Sequence, residues 1–507
     1  METPRGIGTC AALGAALLAF ACGGGASGGG GSGHPVTPPA TSGTALRWVP
    51  VRATYAFTAP DLRVAQRGVR DLVDALGTLT MDLDASIASR WMVRNLGVDL
   101  FSEAAVAELG LDVAAPVALY SEALGPTLAV HLADAEHLRA FLDERRAHGM
   151  RTTSVLVDGI EVFAVKPADI PLSYAIDGDW LWVHVGVAVE GHPDDGKAWF
   201  HATHTTGSAS PPTPDAAWDW ARGAVGGSAA GIVGFADPNA MFAAAGRALA
   251  SGRACAALLA PVSRVAFGLA GDGTRIDGRI ALDAGAAAGS IAKLALPLPA
   301  AWDAASKDAP LGVQWNLDLF GLRAWAAPCL AIMGTTDFDD LDQYGVRGGR
   351  ATLFSFDVEN TASSSIAVSA NLTTKRFFAD QLEGIPLRSS LEKRHTYGPY
   401  QGASLSVPFM GSIEYVLTDT VGLGALGGDL LARMVGTGPA VPGALARLDV
   451  RVDALPTKTW TALFEQLTFG EEGSARAAAA LAAWHEAHVA LSLHGSSLVL
   501  EASAVRN

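Results

Sequence analysis

The chain has 507 residues, of which half are apolar and 17% are charged, and its formal net charge is −15. This length is enough for two or three domains with sizeable cores. The acidic balance, with no run of five basic residues, argues against nucleic-acid binding and against adhesion to anionic lipid headgroups through the protein surface.

The N-terminal segment places one basic residue, Arg5, ahead of an uncharged run of Ala, Leu and Gly at Ala11–Phe20. This run is too short to span a bilayer core of ~30 Å as a helix. It predicts the apolar region of a secretory signal peptide covering residues 1–21. Asp237 and Arg264 interrupt the longest later apolar runs, so we expect the body not to be integral to the membrane.

The apolar run ends in Leu17-Leu18-Ala19-Phe20-Ala21-Cys22, with a small residue before the cysteine and aliphatic residues upstream. This ending resembles the lipobox of bacterial lipoproteins, with Ala19 where leucine is preferred. The resemblance implies cleavage before Cys22 and a fatty-acyl anchor, such as palmitate, on that residue. Gly23, where some bacteria place an aspartate to retain lipoproteins in the inner membrane, favours the outer membrane. The alternative is an ordinary secretory signal cut near Ala21.

A flexible tether is predicted over residues 22–45, because Gly23–Gly33 is almost entirely Gly and Ser and prolines follow. Such a composition cannot bury apolar surface and remains a coil. A coil of ~20 residues has an r.m.s. reach of roughly 25 Å. We therefore expect a folded body held close to a membrane of the cell envelope, outside the cytoplasm.

The predicted N-terminal domain, residues 46–206, begins with a strand at Trp48–Phe57. Thr58-Ala59-Pro60-Asp61 then supplies a cap hydroxyl, a proline and an acidic residue, which mark the start of a helix. Apolar residues three and four apart continue to Leu76, and Gly77 can close this helix. A second helix is predicted over Asp134–His148.

Two Asp-Gly pairs, Asp158-Gly159 and Asp177-Gly178, each separate two apolar runs. Asp-Gly tolerates the positive φ of a type I′ turn, so each pair predicts a hairpin. Together they predict a four-stranded antiparallel sheet over Ser154–Val185. Two further strands, Ala115–Tyr120 and Pro126–Leu132, are expected to pair with each other.

A proline-rich stretch within Gly191–Asp215 predicts a linker or surface loop at residues 207–216. The C-terminal region, residues 217–507, is expected to form one or more α+β domains, with a split near residue 305 as one alternative. The order strand, helix, hairpin recurs in it, starting from Gly231, Gly312 and Leu445. This pattern predicts an α+β fold of mostly antiparallel sheets with helices packed on one face.

Two cysteines remain after Cys10 in the signal and Cys22 at the lipidation position, namely Cys255 and Cys329. In an oxidising compartment they can form a single intramolecular disulfide. Closing a loop of this length stabilises by about 4 kcal/mol in the chain-entropy model. The alternative is two buried free thiols, because cysteine is often a core residue.

Three polar patterns resemble metal sites incompletely. One is a loop cluster of His192, Asp194, Asp195, His201 and His204, whose spacing matches no helix-borne motif. His485-Glu486-Ala487-His488 is one residue short of the zincin spacing. The acidic group Asp337, Asp339, Asp340 and Asp342 lacks the glycine turn and terminal Glu of an EF-hand. We predict no metal site, and solvated turns are the favoured reading.

Two patterns resemble cofactor or nucleophile motifs. Gly422-Leu423-Gly424-Ala425-Leu426-Gly427 has dinucleotide-binding spacing, but the neighbouring strands look antiparallel and nicotinamide cofactors are scarce outside the cytoplasm. Ser390-Leu391-Glu392-Lys393 matches Ser-x-x-Lys without the companion motifs of penicillin-recognising enzymes. We therefore predict no catalytic residue and no cofactor.

An aromatic wall is a further candidate, since Trp180 and Trp182 lie two apart on a strand and share a face. With Tyr174 they could line a ligand site, or they pack under the Asp134 helix. The function predicted from sequence is a non-enzymatic, membrane-anchored envelope lipoprotein that binds an apolar ligand or a partner protein. The alternative is an exported hydrolase or metalloenzyme that uses a His/Asp cluster.

Overall fold

The computed structural model describes residues 45–50, 52–80, 85–165, 171–186, 198–208, 216–226, 231–245, 257–258, 260–271, 274–297, 301–302, 309–333, 344–357, 359–360, 363–385, 387–407, 411–436, 444–466, 474–475, 478–479 and 481–506. These residues belong to two compact units. The first takes in the described residues of Met1–Ala250 and Val262–Asp283, and the second takes in those of Ser251–Pro261 and Ala284–Asn507.

The first unit is an antiparallel sheet with helices. Its strands are β1 (Tyr55–Ala59), β2 (Val117–Ser121), β3 (Thr127–His131), β4 (Thr152–Val157), β5 (Ile160–Val165), β6 (Leu172–Asp177), β7 (Trp180–Val185), β8 (Ile232–Ala236), β9 (Arg264–Gly271) and β10 (Arg275–Asp283). Its described helices are α1 (Leu62–Thr80), α2 (Ala85–Leu96), α3 (Glu103–Glu108), α4 (Ala135–Ala147), α5 (Ala198–Ser208), α6 (Ala216–Ala224) and α7 (Pro238–Ala245). The strand order is β4-β5-β6-β7-β3-β2-β1-β8-β9-β10.

Local signals explain where several of these elements begin. The carboxylate of Asp61 accepts a hydrogen bond from the Val64 amide at 2.7 Å, which fixes the start of α1. The helix does not end at Gly77 but continues to Thr80. The strand before it is shorter than expected and begins at Tyr55. Helix α4 lies where it was predicted, and the Asp134 carboxylate caps it by accepting from the amides of Glu136 and His137.

The predicted meander is confirmed, with a correction at one turn. Asp158 and Gly159 have φ of 52° and 84°, as a type I′ turn requires. In the second hairpin Asp177 pairs with Trp180, so its turn is Gly178-Asp179, one residue later than the pattern predicted. Only Gly178 has a positive φ there, at 56°.

The expected linker at 207–216 does not separate two units. Strand β8, which follows it, is an interior strand of the first sheet and pairs with β1 and β9. Central pairing of this kind buries β8, so the chain on both sides of 207–216 belongs to one unit. The expected split near residue 305 falls inside the second unit.

The second unit has the same kind of construction. Its strands are β11 (Ala301–Trp302), β12 (Leu311–Trp315), β13 (Val346–Ser355), β14 (Ser365–Leu372), β15 (Glu392–Tyr397), β16 (Tyr400–Val407), β17 (Gly411–Leu417), β18 (Val421–Leu426), β19 (Val435–Gly436), β20 (Ala444–Arg451), β21 (Trp484–His494) and β22 (Ser497–Arg506). Its described helices are α8 (Ala287–Lys293), α9 (Leu319–Met333), α10 (Arg376–Glu383), α11 (Arg388–Leu391), α12 (Leu430–Met434) and α13 (Thr457–Gln466). The strand order is β15-β16-β17-β18-β14-β13-β12-β20-β21-β22, and β11 pairs with β19.

The two units have the same strand topology. In each unit a strand, a helical segment and a hairpin are followed by a helix and a four-stranded meander, and a second strand, helix and hairpin complete the sheet. The first strands of the two halves, β1 with β8 and β12 with β20, pair antiparallel in the interior of each sheet. The predicted recurrence from Gly231, Gly312 and Leu445 is therefore present, and the structure adds a fourth instance that starts at β1.

Each sheet has a face covered by the helix that follows its central strand. In the first unit Leu62 and Ala65 of α1 pack with Ala59 of β1. In the second, Trp460 of α13 packs with Leu353 of β13 and Val452, while Leu322 of α9 packs with Leu317 and Leu445. We call the opposite face of each sheet its far face. Because side chains alternate along a strand, Ala56 and Thr58 of β1 and Gly312 and Gln314 of β12 lie on the far faces.

In the first unit the far face also carries helices, which differs from the expected arrangement on one face. Phe200 of α5 contacts Trp182 of β7 with ring centroids 5.6 Å apart, and Trp218 of α6 contacts Phe235 of β8 at 5.8 Å. The neighbouring residue Leu181 packs into the core on the opposite side. Apolar residues on both sides of these strands are buried, so helices are needed on both faces.

Candidate functional site

The residues of the proposed anchor and disulfide lie mostly outside the described part of the chain. Cys22, the tether and Cys255 fall outside it, and Cys329 lies in α9, in the helix expected around it. The lipidation of Cys22 and the Cys255–Cys329 disulfide therefore stay predictions. None of the described helices is both long and apolar enough to cross a bilayer.

The predicted histidine loop is partly a helix. His192, Asp194 and Asp195 lie outside the described residues, but His201 and His204 lie on α5. The Nδ1 atom of His201 is 2.7 Å from Oδ2 of Asp158, and His204 lies between the carboxylates of Asp158 and Asp177, at 3.9 and 3.8 Å. These contacts join α5 to the two hairpins of the meander.

Hydrogen bonds and ring contacts hold the described part of α5 in place. Among the described residues no three His, Cys, Asp or Glu side chains are grouped in a way that could hold a metal ion. The helix is fixed instead by its buried side, where Trp199 donates from Nε1 to the Ser173 hydroxyl at 2.9 Å and Tyr120 donates to Thr203 at 2.9 Å. The sequence predicted a loop here because few of the residues that form α5 are apolar.

The expected aromatic wall is divided between two faces of the sheet. Trp180 and Trp182 share the far face and contact Trp48, at centroid distances of 5.5 and 4.8 Å. Tyr174 pairs with Val183 on β7, so it lies on the other face, where it stacks on Phe163 at 5.1 Å. The tryptophans do not pack under the Asp134 helix, and they are buried core residues.

The remaining sequence motifs lie in strands or outside the described chain. Gly422 and Gly424 are inside β18, which pairs antiparallel with β14 and β17, so they form no phosphate-binding turn. His485 and His488 lie in β21 and not on a helix. Ser390 donates its hydroxyl to the Leu387 carbonyl at 2.8 Å. The Asp337–Asp342 group lies outside the described residues.

A site that the sequence motifs did not indicate lies on the far face of the second sheet. Gln314 of β12 has Arg350 of β13 directly opposite on one side and Arg447 of β20 directly opposite on the other. The three side chains therefore share one face and form one row across three strands. The next row along the strands consists of Asp449, Gly312 and Thr352.

Asp449 is the acidic partner within this group. Its Oδ2 accepts from Arg447 Nε at 2.7 Å, and its Oδ1 lies 2.6 Å from His488 Nδ1. Burial alone raises the pKa of the Asp449 carboxyl, but the hydrogen bonds from Arg447 and His488 outweigh burial, and the net shift is downward. The carboxylate is thus held ionised between two donors.

Arg350 has a different electrostatic environment. Burial, and then the like charge of Arg447, lower the pKa of its guanidinium, while Asp449 acts in the opposite direction. Burial is the larger of the two causes, so the shift mainly reflects the partial withdrawal of this guanidinium from solvent. The group therefore combines two guanidinium groups, one imidazole and one carboxylate on a single sheet face.

The sequence did not reveal this site because its residues are far apart in the chain. Gln314, Arg350 and Arg447 lie on three different strands, and no local spacing in the sequence connects them. Only the pairing of β12 with both β13 and β20 brings them together. The one available signal was the alternation Arg447, Asp449, Arg451, which places three charged residues on one face of β20.

Comparisons with known proteins assign no family. No protein-family model and no curated protein matches the sequence. Among solved structures, crystal form I of the protein TP0453 is similar over 47% of this chain and 78% of that chain, with 10% identity and a TM-score of 0.26. Crystal form III of TP0453 is similar over 51% of this chain and 88% of that chain, with 12% identity and a TM-score of 0.28. At these TM-scores the likeness assigns neither a fold nor a function.

Proposed function

We propose that this chain is an exported envelope lipoprotein whose body binds a ligand or a partner protein and catalyses no reaction. The observation that carries the binding role is the charged group on the far face of the second sheet, around Gln314. Arg447 is exposed there, and Arg350 and Asp449 are half-buried, so the group faces solvent. Around β12 and β20 we propose that helices lie on one face only, which leaves the far face open for the ligand.

The anchoring part of the proposal depends on Cys22. Triacylation gives a stable attachment where one acyl chain gives only a reversible one. We expect the protein in the membrane fraction, with the outer membrane favoured, and an acyl mass on the peptide that begins at residue 22. The Cys22→Ser variant is expected in the soluble extracytoplasmic fraction. An unprocessed chain recovered from the cytosol would contradict export itself.

The binding part is tested with protein purified in detergent from its native envelope. A metabolite or envelope protein that co-purifies with the wild-type chain, and is lost from the Arg447→Glu variant, would support the far face as the binding surface. Arg394→Glu serves as the matched control, because Arg394 is exposed on β15 of the same unit. Loss of the co-purifying molecule from both variants, or its retention in both, would count against the assignment.

The Cys255–Cys329 disulfide is part of the same proposal, because an exported protein meets an oxidising compartment. Alkylation of the unfolded chain before and after reduction is expected to block these two thiols only after reduction. Alkylation without reduction would show two free thiols instead.

The alternative is an exported hydrolase or metalloenzyme centred on α5. The contact of His201 with Asp158 at 2.7 Å is the observation that favours it, because a carboxylate can orient an imidazole for proton transfer. Stoichiometric zinc or calcium in the purified chain, lost in an Asp158→Ala and His204→Ala double variant, would support this reading. A purified protein that contains no bound metal would contradict the metalloenzyme alternative.

A further inference from the structure

We propose that the second unit binds a long-chain fatty acid in an apolar groove that crosses its sheet on the face opposite the far face. We call this face of each sheet its near face. The inference goes beyond the proposed function, because it adds a second binding surface and names its ligand class. It does not depend on the charged group around Gln314.

One row of directly opposed residues crosses the interior strands of each sheet on the near face. In the first unit its members on β7, β3, β2, β1, β8 and β9 are Val183, Leu128, Leu119, Phe57, Gly234 and Phe267. In the second unit its members on β18, β14, β13, β12, β20 and β21 are Gly424, Val368, Ala351, Val313, Leu448 and Val489. The two rows are equivalent, because each starts beside a meander tyrosine, Tyr174 or Tyr415, that accepts from an arginine of the preceding helix.

The two rows differ in how much space their side chains fill. Every position but one carries a smaller side chain in the second unit, and the exception is Leu448, which stands where the first unit has Gly234. Phe57 and Leu119 are 5% and 3% exposed, whereas Val368 and Leu448 are 41% and 37% exposed. The large side chains that close this row in the first unit are therefore missing from the second, where apolar side chains reach solvent.

Helices cover the neighbouring rows on both sides. On one side the next row of the near face includes Leu353, which packs with Trp460 of α13. On the other side it includes Leu491, which packs with Ile291 of α8. Rows on one face lie two residues apart, or about 7 Å along a strand. The open strip is therefore a groove about one row wide.

The dimensions of the groove match a single acyl chain. From Gly424 to Leu448 the row crosses four strand spacings of about 4.8 Å, which makes roughly 19 Å. An acyl chain spans half of a bilayer core of ~30 Å, so one chain fits along the floor. A second protein copy is disfavoured, because the floor measures only about 130 Å² and a stable interface buries roughly 1,200 Å² or more. A peptide is disfavoured because the floor offers its amides no polar side chain.

A polar end of the row suits the carboxylate of a fatty acid. Beyond Gly424 the row reaches Tyr415 on β17, whose hydroxyl accepts from Nη2 of Arg388 at 2.9 Å. Arg388 also donates from Nε to Glu392 at 2.9 Å. Within the described part of the chain these are its hydrogen bonds, so N–H donors on both Nη atoms remain for a ligand oxygen. A carboxylate bound there would direct its chain along the apolar floor.

The direct test is a fluorescence titration of the Cys22→Ser chain without detergent, with dansylaminoundecanoic acid as the probe and palmitate as the competitor. The double variant Ala351→Leu and Val313→Phe restores the side chains of the first unit and is expected to weaken palmitate binding at least tenfold. Leu156→Phe adds a similar side chain at an exposed position of β4 and is expected to leave the affinity unchanged. Equal affinity in the double variant and in Leu156→Phe overturns the inference.

The chemistry of the ligand gives a second criterion. Affinity is expected to rise about fourfold for each added methylene and to level off once the acid is longer than the groove. Methyl palmitate, or palmitate with the Arg388→Gln variant, is expected to bind about tenfold more weakly, because a charge-assisted hydrogen bond is lost. A continuous rise with length and no effect of the methyl ester would indicate general adsorption to apolar surface and would overturn the inference.

A third measurement does not depend on any variant other than Cys22→Ser. A palmitate analogue with a diazirine on its chain is expected to label peptides of β12, β13 and β20, as read by peptide mass spectrometry. Labelling confined to the first unit overturns the inference.

Two further outcomes identify a different occupant or separate this inference from the proposed function. If palmitate does not bind and the chain forms a concentration-dependent dimer that the double variant abolishes, the groove binds a second copy and the inference fails. The proposed function stands in that case, because it is tested by the molecule that the Arg447→Glu variant loses from the opposite face. Palmitate binding with no such loss gives the reverse result.

Discussion

The far faces of the two sheets occupy the same place in one topology and differ in chemistry. In the first unit Ala56 and its neighbours Tyr120 and Phe235 are buried, beneath α5 and α6. In the second unit the corresponding central strand carries Gln314, flanked by two arginines that reach solvent. Backbone pairing sets the topology in both units, while the residues that alternate onto the far face decide how apolar that face is.

The comparison also shows where each unit obtains its stability. The first unit buries large aromatic side chains on its far face, including Trp182, Tyr120 and Phe200. The second unit keeps one strongly buried polar network on that face, in which Glu414 of β17 accepts from the Tyr397 hydroxyl at 3.2 Å and the Leu431 amide at 2.6 Å. A packed face tolerates no charge, whereas a polar face depends on complete hydrogen bonding.

The largest expected effect comes from placing a charge on the packed face. Ala56→Arg puts an unpaired guanidinium at a position with no exposed surface, and it is expected to cost at least about 4 kcal/mol or prevent folding. Gln314→Leu, at the centre of the other far face, is expected to stay within about 1 kcal/mol of wild type. Urea unfolding followed by circular dichroism measures both. Similar costs for the two variants would show that the two far faces are not different environments.

A smaller loss is expected in the polar network of the second unit. Glu414→Ala leaves the Tyr397 hydroxyl and the Leu431 amide, both buried, without their acceptor, at a cost of about 3 kcal/mol. Glu414→Gln keeps one acceptor oxygen and is expected to recover part of this loss. Urea midpoints of the two variants provide the measurement, and an unchanged midpoint for Glu414→Ala would rule out a structural role for the network.

Acid is expected to weaken the second unit through two carboxylates. The hydrogen bond from Arg347 lowers the pKa of Asp318, and the pKa of Asp449 is also lowered. Their stabilising contribution is therefore complete above the ordinary value of about 4 and is lost as the pH falls through the lowered folded values. We expect a loss of about 1 kcal/mol between pH 5 and pH 2, after allowing for solvent screening at Asp449.

The control for the acid effect is Asp318→Asn, which removes one of the two titrating groups. The unfolding free energy of this variant is expected to fall less steeply below pH 4 than that of wild type. Arg347→Met is expected to reduce the slope in the same way, because it removes the main cause of the lowered pKa. An identical pH profile in all three proteins would contradict the assignment.

The smallest expected effects on stability concern the N-terminal caps of two equivalent helices. α4 and α10 each follow the third strand of their sheet, but Asp134 caps α4 with its carboxylate while Lys375 provides no side-chain cap to α10. Asp134→Ala is expected to cost about 1 kcal/mol, and Asp134→Asn to restore most of it. Lys375→Ala is expected to change the unfolding free energy by less than about 0.5 kcal/mol, since its contact with Asp419 is exposed. Thermal unfolding distinguishes the two sites.

The sequence by itself determined the local elements whose causes are local. The helix that starts after Asp134 and the turn at Asp158-Gly159 follow from adjacent residues. A helix start or a tight turn depends on the conformations of only two to four residues. The strand–helix–hairpin recurrence followed from the order of such elements. The predicted signal peptide before Cys22 also rests on a pattern of adjacent residues, and its cleavage and the lipidation of Cys22 stay predictions.

The tertiary structure decided everything that depends on pairing between distant strands. It placed β8 beside β1, which removed the expected boundary at 207–216, and it placed Tyr174 and Trp182 on opposite faces. It also brought Gln314, Arg350 and Arg447 into one row, although more than thirty residues separate each from the next along the chain. Hydrophobic alternation tells which residues of a strand share a face, but it does not tell which strand lies alongside. That choice is made by long-range packing, and it is what assembles the polar group around Gln314.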